Sequence, residues 1–192
     1  MPQTAKKQNH RPLLAALVTL VVLLAATAAI WLAVVRPQLG KGRTETLCDD
    51  FNQSELLHPG DSAAQVFTYD KDLYTIGLEF YLPGANPQGT LEVILSDADT
   101  GEELARSTGV MQNIIPDQYT TLGLDTAVAG QPGRRYQLTV TPHYETDAIL
   151  AVGHSVGVAL WKEQMTVNGT PIDGTMAMQV TYQRMGGYLT RF

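Results

Sequence analysis

YTIGLEFYL, residues 74–82, alternates without a break: Ile76, Leu78, Phe80 and Leu82 are apolar and large, with Thr75, Gly77, Glu79 and Tyr81 between them. Successive side chains of a β-strand point to opposite faces, so this spacing predicts a strand with one buried face. Working outward, TLEVILSD at residues 90–97 repeats the period through Leu91, Val93 and Leu95. So do Leu122 and Leu124, then Tyr136, Leu138 and Val140, then Met176, Met178, Val180 and Tyr182. Between these runs lie Pro83-Gly84, Asn86-Pro87, Asp99-Thr100-Gly101, Pro132-Gly133, Asn168-Gly169 and Asp173-Gly174, all turn formers. Short strands at this spacing predict an all-β, antiparallel, jelly-roll-like β-sandwich over residues 59–192. Beyond a single turn at residues 49–57, no amphipathic helix is expected.

The N-terminus is of another kind. Residues 13–35, LLAALVTLVVLLAATAAIWLAVV, carry no charge over 23 positions. At about 1.5 Å per residue, a helix of that length covers a hydrocarbon core of ~30 Å, which predicts one N-terminal transmembrane helix. A cleaved signal peptide is the rival, with Lys6, Lys7 and Arg11 as its basic region and Ala26-Thr27-Ala28 as its cleavage site. The apolar run continues past that site, and Trp31 suits an interfacial belt, so an uncleaved anchor is expected. Arg36, Lys41 and Arg43 nearly balance the basic residues before the span, and the free amine tips residues 1–12 toward the cytoplasm. Residues 36–58 then form a juxtamembrane linker. The protein is expected in the cell membrane as a single-pass chain, its C-terminal domain extracytoplasmic and membrane lipid its partner through residues 13–35.

Ten of the 13 basic residues and all 19 acidic ones follow the span, so the exported part is acidic by nine charges. Such a surface offers no footprint for nucleic acid. The lone Cys48 has no second cysteine for an intramolecular disulfide, and the domain must stand on its apolar core.

Gly60 through Gln65-Val66-Phe67, then Leu73 to Leu78, Gly89-Thr90-Leu91-Glu92-Val93, Gly101, Tyr119 and Gly133 to Leu138 carry a resemblance. Residues 60–183 resemble the galactose-binding-like jelly-roll modules of bacterial extracytoplasmic, envelope polysaccharide-associated proteins. The segment Asn168-Gly169-Thr170 with residues 176–182 is similar to their closing hairpin. The resemblance implies the sandwich fold and transfers no catalytic residue.

Four constellations touch on chemistry. Gly153-His154-Ser155-Val156-Gly157 spells a nucleophile elbow, which needs a parallel strand before it, a helix after it and a later histidine. His10, His58, His143 and His154 all precede Ser155, so an anchored serine hydrolase lacks its base. Asp99-Thr100-Gly101 matches the aspartic-protease triplet, but only one copy exists, and DADTGEE reads as a hairpin loop. The same loop offers Asp97 and Asp99 as oxygen ligands of the kind a structural calcium takes, but acidic residues crowd solvated turns without any ion, and no cofactor is otherwise expected. His58, His143, His154 and Cys48 show no paired zinc spacing.

Aromatic faces beside carboxylates suit sugars. Strand parity turns Tyr136 and Tyr182 inward but Tyr81 outward beside Glu79, and Tyr144 and Trp161 lie in or near loops. Tyr81, Tyr144 and Trp161 are therefore the expected ligand face. The function expected from the sequence is a non-catalytic, membrane-tethered module that binds an envelope glycan or an envelope protein partner. The alternative is a purely structural or assembly subunit of a membrane complex.

Overall fold

The computed structural model describes residues 11–31, 42–49, 52–82, 88–144, 149–157 and 160–182. The chain divides into two compact units, one holding the N-terminal helix and the other spanning Gly42–Arg184.

The helix, α1 (Arg11–Ile30), is 20 residues of mostly leucine, alanine and valine. Pro12 sits in its first turn, where a missing N–H removes no intrahelical bond. Thr27 satisfies its hydroxyl on the Leu23 carbonyl four residues back, at 2.7 Å. Side chains 16–31 are all exposed. Helix and expected span coincide only as far as Trp31, since residues 32–35 lie outside the described residues. Among the described residues no helix is long and apolar enough to cross a membrane.

The second unit is a pair of antiparallel sheets enclosing one core. Among the described residues the sheets are built from β1 (Arg43–Cys48), β2 (Gln53–Leu57), β3 (Ala63–Thr68), β4 (Leu73–Tyr81), β5 (Gly89–Asp97), β6 (Glu103–Val110), β7 (Tyr119–Val128), β8 (Arg135–Tyr144), β9 (Leu150–Ser155), β10 (Met165–Val167), β11 (Thr170–Ile172), β12 (Thr175–Met176) and β13 (Met178–Tyr182). In the first sheet β4 pairs with β7 on one edge and with β13 and then β9 on the other. The edge strand β1 joins β13, while β2 and β12 join β9. The second sheet runs β11-β10-β3-β8-β5-β6.

The period-two reading places the core. Ile76, Leu78, Phe80 and Leu82 are buried, as are Leu91, Val93 and Leu95, and Tyr136, Leu138 and Val140. Register aligns these rows, with Phe67 opposite Tyr136 and Leu95 opposite Leu138, so each strand closes the face of the next. Leu124 and Tyr182 are the exceptions, packing against the core only half-buried.

Strand structure begins at Arg43, inside the segment expected to be a linker. β1 and β2 are edge strands with one buried side chain each, the others exposed or half-buried, so they show no alternation in sequence. Pairing with β13 and β9 makes them strands, and the expected helical turn at residues 49–57 gives way to β2. Cys48 is buried at the end of β1, its thiol 3.9 Å from the Thr175 carbonyl.

Polar ties cross between the sheets. Gln65 of β3 is fully buried, its Oε1 accepting the Met176 N–H at 3.2 Å and its Nε2 donating to the Glu163 carbonyl at 3.1 Å. Replacing Gln65 by leucine strands a buried donor and a carbonyl together. Gln65→Leu is expected to lower stability by about 1–3 kcal/mol, read as a fall in urea midpoint with an unchanged slope. At the open edge of the second sheet, β6 runs beside β7, and the Arg106 N–H donates to the Asp125 carboxylate at 3.0 Å.

Candidate functional site

One end of the sandwich gathers the end of β3, the start of β8, the β5–β6 turn and the segment between β9 and β10. The first two and the last of these line an open cavity of about 470 Å³, through Phe67, Thr68, Gly133, Arg135, Trp161 and Glu163 among others. That size falls in the range of small-molecule sites.

Phe67 is fully buried, and its ring packs at a tilt against two others, 5.6 Å from the Tyr136 ring and 5.8 Å from the Trp161 ring. Trp161 is thereby braced from behind while the indole stays half-buried at the cavity wall. Arg135 lies across the cavity with its guanidinium spread between two carboxylates. One arm donates to Asp99 Oδ1 at 2.6 Å and the other to Glu163. Arg134, one residue back, donates to Asp97 Oδ2 at 2.8 Å, and its guanidinium sits 5.6 Å over the Tyr136 ring. Asp97 also closes its own turn, accepting the Asp99 and Thr100 N–H groups on Oδ1, both at 3.0 Å. The Arg134 bond, then the Thr100 N–H, holds the Asp97 carboxyl below its usual range.

Of the residues expected at a ligand face, only Trp161 lines this cavity. Tyr144 is a correction. The parity of β8 continues past Val140 and Pro142, so Tyr144 is buried, and its hydroxyl donates to the Leu57 carbonyl of the other sheet at 2.6 Å. Tyr81 is exposed as expected, on β4 opposite Ala151 in the first sheet, and it does not line this cavity. Asp97 and Asp99, expected to ligate calcium, are instead acceptors for Arg134 and Arg135. Among the described residues no group of three His, Cys, Asp or Glu is placed to hold a metal ion.

Ser155 is fully buried at the end of β9, with β12 alongside it in antiparallel register. An elbow nucleophile projects from a sharp strand-to-helix turn. Ser155 instead sits in extended sheet, and its neighbour His154 points to the opposite face.

Arg135, Glu163 and Phe67 were not singled out from the sequence. Arg134-Arg135 is the only adjacent basic pair after the apolar N-terminal run, in an otherwise acidic stretch, and that is the signal that marks it. A second cavity of about 490 Å³ lies between β6 and β7, with Leu122 and Ile115 in its wall and Tyr119 its one ionisable side chain. Its polar groups are hydroxyls and an amide, on Ser107, Thr108, Asn113, Thr120 and Thr121, and among the described residues no charged side chain lines it.

Outside the cavity, one carboxylate stands out. Glu79 of β4 is pushed above its ordinary value by burial and then by Asp117 nearby, and it pairs across the sheet with Tyr119, whose burial raises that hydroxyl to about 12. A carboxyl raised in the folded state contributes its full stability below the unfolded value and loses it as pH rises through the folded one. Ionised Glu79 therefore opposes folding at neutral pH. Glu79→Gln is expected to raise the thermal midpoint at pH 7, with the gain vanishing below about pH 4. Midpoints measured across that window check both the sign and the range.

No family model matches this chain, and no curated protein matches it. A solved structure it is similar to is a family two carbohydrate esterase from Cellvibrio japonicus, at 10% identity and a TM-score of 0.32. The similarity covers 74% of this chain and 34% of that one, so the chain spans about a third of that structure's length. The similar protein is an enzyme, which gives the expectation of a non-catalytic module no support. At that TM-score the likeness carries no argument for an activity in this chain.

Proposed function

We propose that the β-sandwich binds carbohydrate at the Trp161 cavity and is displayed outside the cytoplasm on a membrane anchor formed by residues 13–35. The observation that carries the binding is the pairing of an aromatic wall with a spread ion pair. A pyranose presents an apolar C–H face and a rim of hydroxyls. Trp161, braced by Phe67, offers a flat surface for the face. Arg135 and Glu163 offer a fixed donor and acceptor for the rim, with Arg135 further held by Asp99. The resemblance of residues 60–183 to galactose-binding-like modules points the same way, and the uncharged run of 23 residues supports the anchor.

A glycan array probed with the full chain in mild detergent tests the reading, beside Trp161→Ala as the control. Removing the indole is expected to lower affinity roughly tenfold or more while leaving the sheets intact by circular dichroism. Equal binding by the folded variant would reject this site.

A further inference from the structure

We infer that the ligand is an uncharged chain of sugars rather than a single sugar, an inference that rests on the carbohydrate reading above. A further cavity of about 310 Å³, lined by Glu45, Leu47, Tyr69 and Asp70, shares Thr68 and Gly133 with the Trp161 cavity. The two are therefore one groove with a saddle between them. Gly133 keeps the saddle low. Its φ is +77°, and a Cβ built there meets nothing within 4 Å, so the space over it is open.

The second cavity carries its own polar equipment. Tyr69, buried at its base, donates its hydroxyl to Glu45 Oε2 at 2.9 Å. Lys71 binds the same oxygen, with its ammonium 4.4 Å over the Tyr182 ring. Both bonds go to Oε2, which leaves Oε1 as an acceptor for a ligand hydroxyl. The Lys71 bond, first, then the Tyr69 hydroxyl keep the Glu45 carboxyl ionised below its ordinary range. The signs at the two ends are opposed. Arg135, Lys162 and Glu163 line the first cavity, where Arg135 pairs with Glu163, and Glu45 and Asp70 line the second, where Glu45 pairs with Lys71. A polyanion would meet Asp70 at one end, and a polycation would meet Lys162 at the other. An uncharged chain passes both without penalty.

Titration calorimetry on the full chain in mild detergent tests this, using neutral cello-, xylo- and chito-oligosaccharides from monosaccharide to hexasaccharide and oligogalacturonate as the anionic probe. Affinity for at least one neutral series is expected to rise roughly tenfold with length and then level off once both cavities are filled. Gly133→Asn places a side chain on the saddle, and asparagine tolerates positive φ. It is expected to bring the hexasaccharide down to the affinity of the monosaccharide. A hexasaccharide no tighter than its monosaccharide overturns the chain and leaves the carbohydrate reading standing. So does a folded Gly133→Asn protein that keeps the length dependence. Tighter binding of oligogalacturonate overturns the uncharged assignment. Binding to no sugar, on the array or in solution, overturns the carbohydrate reading itself.

Discussion

A Gly174→Ala protein is expected to lose a large share of its stability. Gly174 joins β11 to β12 at a φ of +131°, where an L side chain is rarely found. An added Cβ would lie 2.1 Å from the Ser155 carbonyl oxygen and 3.0 Å from His154 Nδ1. The carbonyl cannot retreat, because Ser155 is held in register with Thr175 on β12. Nor can the turn move freely, since the Gly174 carbonyl accepts the Met165 N–H at 3.2 Å. Backbone strain and overpacking act together, and the sum is about 3 kcal/mol or more. Domains of this size have only ~5–15 kcal/mol in all. Soluble yield and urea denaturation read the outcome, and a midpoint within error of the parent would show that the turn can adopt another shape.

The second large effect is at Phe67. Phe67→Ala removes a fully buried ring from between Tyr136 and Trp161 and is expected to cost about 3–5 kcal/mol. Phe67→Leu keeps most of the volume and is expected to cost less than about 1.5 kcal/mol. Leucine offers no flat surface to the indole, however. In a Trp31→Phe background, where Trp161 is the one remaining tryptophan, Phe67→Leu should lower fluorescence anisotropy and weaken sugar binding with little loss of stability. An unchanged anisotropy would mean that the backbone of residues 160–163, not Phe67, holds the platform.

The inner faces of β4, β5 and β8 were legible because each strand has one face in the core and one turned out, and burial then writes a period of two. β9 broke that rule, since all six of its residues are buried and neither face shows as polar. β1 and β2 broke it the other way, with too little burial to leave a pattern. Tyr144 was misplaced because the polar neighbours His143 and Glu145 outweighed the parity running from Tyr136. Trp161 was legible as an aromatic near a loop. Its setting was not, because Phe67, Arg135 and Glu163 lie far apart in the chain and meet only through the pairing of β3 with β8 and the return of the chain toward β10.

The bond from Arg106 to Asp125 has a consequence for life at high local density. An outermost strand exposes N–H groups on which a neighbouring molecule can build a further strand, the first step toward fibres. On β6 one such N–H is already held by the Asp125 carboxylate of β7, and a second chain arriving there must first displace a negative charge. At high local density that charge works against edge-to-edge pairing at this position of β6.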